Sequence, residues 1–336
     1  MAALLTACVA MPKGGGSGAS LPDLTSYVLM RTDASARATE PASVQQAADV
    51  LAAYDVIFIG EAHQHPGNHL AEMALFRAIH ERNSALSLSM EQFERDVQPV
   101  LDDYLAGKIG ENPFTSRARA WNNYTTSYRP LVEYAKAHKL PVIAANAKEE
   151  VIRCIGREGI AMLARLTPEQ RAWAAADINL QDGPYKDKFL GFAGGDAGHG
   201  GDASKEKTER KPPSETALRS FAAQVTRDDT MAESIALHLQ KNPGRKVVHL
   251  TGSFHAESFL GTVERLKLRM PNLKIAVVNP EFADDPNKLA VSPQLAKTGT
   301  FILLIRELPD FYANDDEMSA AIKKQMETRS RNQCTL

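Results

Sequence analysis

The feature that most constrains the fold is a series of short apolar runs separated by stretches with helical periodicity. Each run has the length of a strand and is followed by helix-start signals, which is typical of β–α units. Strands are predicted at residues 55–59 (DVIFI), 86–90, 141–145 (PVIAA), 246–250 (KVVHL), 274–278 and 301–305 (FILLI). This alternation predicts an α/β fold with a largely parallel central sheet flanked by helices.

The helices between these strands have recognisable starts and stops. Ser43 with Gln46 resembles a capping box, and Thr167 with Gln170 resembles a second one. The spacing predicts helices over 44–53, 131–138 and 169–176, and a longer one over 215–240 that stops before Pro243-Gly244.

A biased segment at 191–214 interrupts the pattern. Six of the eleven residues at 191–201 are glycine, and six of the seven at 205–211 are charged. Such a composition cannot build a core, so we predict an exposed, mobile insertion. The apolar strands on either side favour one sheet.

The predicted organisation is a tether at 1–20, a single large domain at 21–310, and a C-terminal helix and tail at 311–336.

The N-terminus predicts attachment to a membrane through lipid. Leu5-Thr6-Ala7-Cys8 has the form of a bacterial lipobox, and the glycine-rich residues 12–18 suit a flexible tether. We predict lipidation of Cys8. Because no aspartate follows this cysteine, we expect anchorage in the outer membrane, facing the periplasm. The sequence contains no apolar run of eighteen residues, so the lipid would be its only membrane contact.

Charge and cysteine content exclude two classes of protein. Lys plus Arg number 39 and Asp plus Glu 41, a net charge of −2 that argues against a nucleic-acid binder. Three cysteines are too few for a disulfide scaffold. Cys154 and Cys334 could pair in an oxidising periplasm, but the sequence leaves that question open.

Polar side chains follow several predicted strands at the point where each strand ends. Ligands bind beyond the carboxyl ends of strands in open parallel sheets, so these residues are expected to converge. They are Glu61 and His63, Glu91, Asn146, His255 and Asn279. We call Glu61, His63, Glu91 and His255 the rim residues. Histidine and carboxylate side chains can bind a metal ion or transfer protons.

One interpretation of the rim residues is a metal-dependent hydrolase, an esterase or protease. Glu61, His63, Glu91 and His255 would bind a divalent ion or activate water directly. No HExxH signature supports a complete zinc site. His65 and His69 are not expected to act as a helical ligand pair, because Pro66-Gly67 lies between them.

Several segments together resemble the ChaN-like haem-binding lipoproteins. The likeness covers residues 43–282 and includes YDVIFIGEAH at 54–63, YRPLVEYAKA at 128–137, VTRDDTMA at 225–232, LTGSFH at 250–255 and AVVNP at 276–280. It implies a non-enzymatic protein of bacterial haem and iron acquisition that binds ferric haem through a tyrosine in a homodimer. The wider superfamily includes Tiki-type proteases and erythromycin esterases, which supports the hydrolase alternative.

The resemblance directs attention to Tyr185 as the haem-iron ligand. It follows Asp182-Gly183-Pro184 in a predicted turn, where an exposed phenol could reach iron away from the rim residues. Lys186 and Lys188 would bind the haem propionates, and His199 would be a second ligand or propionate partner. Tyr124 and Tyr128 are the alternative tyrosine ligands.

Overall fold

The computed structural model describes residues 19–33, 38–193, 212–331 and 333–336. Its strands are β1 (Tyr27–Thr32), β2 (Ala38–Ala42), β3 (Val56–Glu61), β4 (Leu86–Glu94), β5 (Val142–Asn146), β6 (Lys246–Gly252), β7 (Ile275–Phe282) and β8 (Phe301–Ile305). Its α-helices are α1 (Val44–Leu51), α2 (Pro66–Arg82), α3 (Gln98–Leu105), α4 (Glu111–Arg117), α5 (Arg129–Ala137), α6 (Glu149–Glu158), α7 (Pro168–Arg171), α8 (Pro184–Ala193), α9 (Glu215–Lys241), α10 (Thr262–Arg269) and α11 (Asp315–Arg331). A π-helical turn, Tyr124–Tyr128, precedes α5.

The strands of the described residues form one sheet in the order β2-β1-β8-β7-β3-β6-β4-β5. The six strands from β8 to β5 are parallel, and the six predicted apolar runs form them. The predicted α/β fold with a largely parallel sheet is confirmed. The strands before and after the glycine-rich segment share this sheet, as a single domain requires.

Two strands were not predicted. β1 lies antiparallel to β8, with Tyr27 opposite Ile305, and β2 lies antiparallel to β1. β2 reads ATEPA and contains a proline, which is compatible with an edge strand but is not a strand signal. β1 is specified by pairing with a strand about 270 residues away in the chain, which local patterning cannot reveal.

Helices cover both faces of the sheet, and alternate residues of β3 point to opposite cores. Ile57 and Ile59 pack into the cluster that contains Leu75 of α2. Val56 and Phe58 pack into the cluster that contains Met231 of α9. Every residue of β3 is buried, as expected for a central parallel strand. This burial fixes the register that places Glu61 at the carboxyl edge.

The predicted capping boxes are present. Ser43 caps α1 and Thr167 caps α7, each with its glutamine partner. α7 ends after four residues at Arg171, so the prediction of a helix to residue 176 is wrong. The long helix α9 occupies the predicted region almost unchanged, and it carries several buried polar residues that are important for the site.

Two further features concern the end of the chain and the biased segment. Cys154 of α6 and Cys334 form a disulfide, which closes a loop with a sequence separation of 180 residues.

α8 extends to Ala193 and so includes the first residues of the predicted insertion. Residues 194–211, with His199, and residues 1–18, with Cys8, lie outside the described residues. Within the described part of the chain, no helix has the length and apolarity needed to cross a bilayer.

Candidate functional site

The carboxyl ends of β3, β4 and β6 lie side by side and bring the four rim residues together. β6 lies between β3 and β4, so Glu61, Glu91 and the loop with His255 face one another. A cavity of about 370 Å³ opens at this edge. Its lining includes Glu91, Trp121, Asn146, Gln224, Arg227 and His255. The predicted convergence of polar strand ends is therefore present.

Glu61 holds His63 in one orientation. His63 Nδ1 lies 2.8 Å from Glu61 Oε2, and the Tyr128 hydroxyl donates to the same oxygen at 3.0 Å. The Glu61 side chain is fully buried, whereas the His63 side chain is 41% exposed. Burial lowers the pKa of His63, but the bond to Glu61 and the charge of Glu91 outweigh it and raise that pKa. The bond through Nδ1 leaves Nε2 facing Gly252.

Glu91 is a buried carboxylate stabilised in its charged form. Its Oε2 accepts hydrogen bonds from the Thr251 hydroxyl at 2.6 Å and the Gly252 amide at 2.7 Å. Burial raises its pKa, but the charges of His255 and His63 together with these bonds lower the pKa to about 2. Glu91 therefore carries a negative charge at neutral pH.

Asp228 of α9 completes the site. His255 Nδ1 lies 2.8 Å from Asp228 Oδ1, and the Thr262 hydroxyl donates to the same oxygen at 2.8 Å. His255 Nε2 points back to Glu91, at 3.7 Å from Oε1. Burial lowers the pKa of His255, but Asp228 and Glu91 raise it above its usual value. Asp228 was not predicted as a site residue, because an aspartate in the run RDDT resembles a solvated helix face.

The prediction that Tyr185 is an exposed turn residue is wrong. Tyr185 lies in the first turn of α8, is only 2% exposed, and packs near Phe221 and Phe254. Its hydroxyl donates to Asp228 Oδ2 at 2.6 Å. Burial and the Asp228 charge raise the pKa of Tyr185 well above its ordinary value. Tyr185 is also linked to the rim residues, because Asp228 bonds both Tyr185 and His255.

The other predicted haem contacts are engaged with neighbours. Lys186 pairs with Asp182 at 2.6 Å, and Lys188 pairs with Glu257 at 2.8 Å. Burial lowers the pKa of Lys188. The alternative ligands Tyr124 and Tyr128 are both buried, and burial raises the pKa of each phenol.

An aromatic surface lies beside the rim, formed by Phe189 and Phe192 of α8 and by Phe254, which precedes His255. The Phe192 and Phe254 ring centroids are 5.6 Å apart, and those of Phe189 and Phe254 are 6.3 Å apart. Phe192 is 62% exposed. The Lys188 ammonium lies 4.0 Å from the centre of the Phe254 ring. This surface combines apolar faces with a nearby cation.

A second cluster lies behind Glu61, at the start of α2. His65 caps α2, and Pro66 occupies its first turn, where proline is favoured. His69 points inward beside Glu72 at 2.9 Å, whereas His65 Nε2 lies 2.7 Å from the Arg306 carbonyl oxygen, so the two histidines do not form a ligand pair. Burial lowers the pKa of His69, but Glu72 and Glu61 raise it to about 9. Burial and the Glu61 charge raise the pKa of Glu72.

The fold and these contacts define a class of protein: an α/β domain with a histidine–carboxylate site at the carboxyl edge of its parallel sheet. Residues 47–266 match the family described as haem-binding uptake, Tiki superfamily, ChaN. The chain belongs to this haem-binding family.

Several known proteins are similar to this chain. The structure titled cofacial heme binding to ChaN of Campylobacter jejuni matches with a TM-score of 0.58 at 16% identity, covering 84% of this chain and 97% of that one. A mutant of the erythromycin esterase EreC matches with a TM-score of 0.43 at 11% identity, covering 88% and 86%. Protein RETICULATA-RELATED 5, chloroplastic, from Arabidopsis thaliana is 24% identical over 239 residues, or 67% of this chain. The chain spans 31% of that relative's length.

Proposed function

We propose that the chain binds ferric haem on the aromatic surface and carries or stores it for bacterial haem and iron acquisition. The observation that carries the proposal is the exposed Phe192 beside Phe254, next to a histidine-lined rim, in a chain of the haem-binding family. A porphyrin face is flat and apolar. Covering these rings removes apolar area from water at about 25 cal/mol per Å².

The aromatic surface suits the face of a haem, and Tyr185 and His63 are the two candidate ligands of its iron. A bound haem supplies a ferric ion, which favours a hard anionic oxygen such as a phenolate. Tyr185 would provide that oxygen after its proton passes to Asp228, which already accepts the phenol's hydrogen bond at 2.6 Å. Because Tyr185 is buried, this role requires α8 to move away from Phe221. His63 is the alternative, because its side chain is 41% exposed and Glu61 holds its Nδ1, which leaves Nε2 as the nitrogen that could coordinate.

The proposal includes the setting of the protein in the cell. Lipidation of Cys8 would anchor the chain in the outer membrane facing the periplasm, with residues 12–18 as the tether. Two chains would form a homodimer around stacked haems, with Lys186, Lys188 and His199 near the propionates. Mass spectrometry of the mature N-terminus tests the anchor. An unmodified Cys8 contradicts it.

The test of the proposal is a spectroscopic titration of the full chain with ferric haem. We expect a Soret shift that saturates, and Tyr185→Phe should remove the charge-transfer band of a tyrosinate ligand. If that band survives in Tyr185→Phe while His63→Ala changes the spectrum, His63 is the ligand. A parent chain that shows no saturable shift contradicts haem binding.

A second function, hydrolysis of an ester or peptide, is favoured by one specific observation. His63 with Glu61 and His255 with Asp228 are two oriented histidine–carboxylate pairs on either side of the ionised Glu91. Such pairs can activate water and protonate a leaving group. A pKa of about 2 makes Glu91 a weak base, so the histidines would transfer the protons.

Hydrolysis is tested with ester and peptide substrates, with and without a chelator. We expect His255→Ala and Glu91→Gln to remove activity, and the control Leu237→Ser, on the far part of α9, to retain it. A parent protein that is inert towards both substrate classes contradicts this second function. The chelator tells whether a divalent ion takes part.

A further inference from the structure

Three buried side chains behind the rim form a compact group, which we call the inner cluster: Glu61, His69 and Glu72. One ligand atom from each lies within 4.8 Å of the other two. The carboxylates of Glu61 and Glu72 are fully buried, and the His69 side chain is 8% exposed. Two carboxylates removed from water repel each other unless a positive charge lies between them.

The hydrogen bonds of His69 prepare one ring nitrogen for a cation. Nε2 lies 2.9 Å from the His63 carbonyl oxygen and must donate to it. In the neutral ring this leaves a lone pair on Nδ1, which lies 2.9 Å from Glu72 Oε2. Two lone pairs at that distance require a positive centre between them. Without an ion that centre is a proton, since the pKa of His69 is about 9, and a metal ion bound to Nδ1 and Glu72 would displace the proton. Metal-binding histidines commonly donate their second N–H to a carbonyl in this way.

A buried amide beside Glu61 has one oxygen without a partner in the described part of the chain. The Gln92 Nε2 donates to both oxygens of Glu61 at 3.0 Å, and the side chain is 3% exposed. Its Oε1 has no hydrogen-bond partner among the described residues. Buried polar atoms are normally paired, so this oxygen, on an amide bonded to Glu61, is available to accept a bond from a ligand of the cluster.

The surrounding contacts resemble the outer shell of a metal site. The Asn68 side-chain amide donates to Glu72 Oε1 at 2.7 Å, and the Tyr128 hydroxyl donates to Glu61 Oε2. These bonds fix both carboxylates and leave Glu72 Oε2 facing His69 Nδ1. Outer-shell donors of this kind orient the first-shell ligands.

We propose that Glu61, His69 and Glu72 bind one divalent first-row transition ion, with the Gln92 amide oxygen as a further ligand. One imidazole with several oxygens suits Zn²⁺, Mn²⁺ or Fe²⁺ better than Ca²⁺ or Mg²⁺, which prefer oxygen alone. Because Glu61 also holds His63, the ion would fix the position of that histidine at the rim. This inference does not rest on haem binding.

The experiment uses the full chain after treatment with a chelator. Zn²⁺ is titrated by calorimetry and Mn²⁺ by electron paramagnetic resonance. We expect one ion per chain and a rise in Tm of about 5 °C at a free ion concentration about 100 times Kd. A chain that binds neither ion overturns the proposal.

Matched variants locate the ion. Glu72→Gln and His69→Gln should each weaken metal binding at least as much as the loss of an outer-shell partner does, about 10–100-fold. Glu72→Gln also removes one buried charge, so it should fold without metal, which circular dichroism checks. His255→Ala should leave metal binding unchanged. Unaltered affinity in Glu72→Gln, or lost affinity in His255→Ala, contradicts the inner cluster as the site.

Discussion

Asp228 orients His255 through a bond of 2.8 Å between its carboxylate Oδ1 and the ring Nδ1. The same carboxylate accepts hydrogen bonds from Thr262 of α10 and Tyr185 of α8. One side chain of α9 therefore connects two other helices and the loop after β6. A change at Asp228 should alter the rim and the aromatic side of the site together.

Asp228→Asn should lower the pKa of His255, because the Asp228 charge is one of the causes that raise it. Loss of charge-assisted bonds should also reduce the free energy of unfolding by about 1–3 kcal/mol. NMR titration of the His255 ring and urea unfolding measure the two effects. Asp229→Asn is the matched control: it loses the ion pair with Arg269 but should leave the His255 pKa in place. Equal shifts in both variants would contradict this role.

Glu91 should give the protein a characteristic loss of stability in acid. Its pKa is lowered from 4.5 to about 2 in the folded chain. The stabilisation is therefore complete above about pH 4.5, and it is lost as the pH falls towards 2. This shift in the pKa of Glu91 contributes about 3 kcal/mol to the free energy of unfolding. Urea unfolding between pH 2 and 6 should show this loss in the parent. The free energy of unfolding should change less with pH in Glu91→Gln. An identical pH dependence in the two proteins would contradict a lowered pKa of Glu91.

Gly252→Ala should disturb His63. A Cβ at position 252 would lie 2.7 Å from His63 Nε2, so the ring must move away from Glu61. We expect a His63 pKa closer to its usual value and a stability loss of about 1 kcal/mol, the typical contribution of one hydrogen bond. Gly156→Ala, in α6, is the control, since an added Cβ there meets its nearest neighbour at 4.0 Å. A helix-interior change of that kind should stabilise the chain by about 0.5–1 kcal/mol.

The parallel strands were accessible from sequence because both sides of each are buried, which leaves continuous apolar runs such as FILLI in β8. β1 could not be predicted from the sequence, because it forms a strand only by pairing with β8 at the far end of the chain. The rim residues were also predictable. Polar residues that directly follow buried strands have only the carboxyl edge of the sheet to occupy.

Other parts of the site depend on tertiary contacts that no local pattern encodes. Asp228 lies in the middle of a long helix, and only the packing of α9 against α10 shows that it faces His255 rather than solvent. Tyr185 follows a turn signal, Gly183-Pro184, which favoured an exposed position. Pro184 instead starts α8, and the helix directs the phenol inward to Asp228.

The disulfide between Cys154 and Cys334 should contribute measurably to stability. It closes a loop with a sequence separation of 180 residues, and removing such a bond typically costs about 2–5 kcal/mol. The double variant Cys154→Ser/Cys334→Ser should unfold at a correspondingly lower denaturant concentration. A thiol reductant should shift the parent to the same midpoint and leave the variant unaffected. If the reductant has no effect on the parent, the predicted contribution is refuted.

Haem binding on the aromatic surface is tested most directly by parallel ferric haem titrations of three proteins. The parent should show a Soret shift that saturates at one haem per chain. Phe192→Ser removes the most exposed ring of the surface and should weaken the affinity about tenfold, since burying a Phe side chain is worth about 1.5–3 kcal/mol. Leu237→Ser changes another exposed apolar residue, on α9, and should titrate like the parent. Equal affinities for all three proteins, or no saturable shift in the parent, would contradict haem binding at this surface.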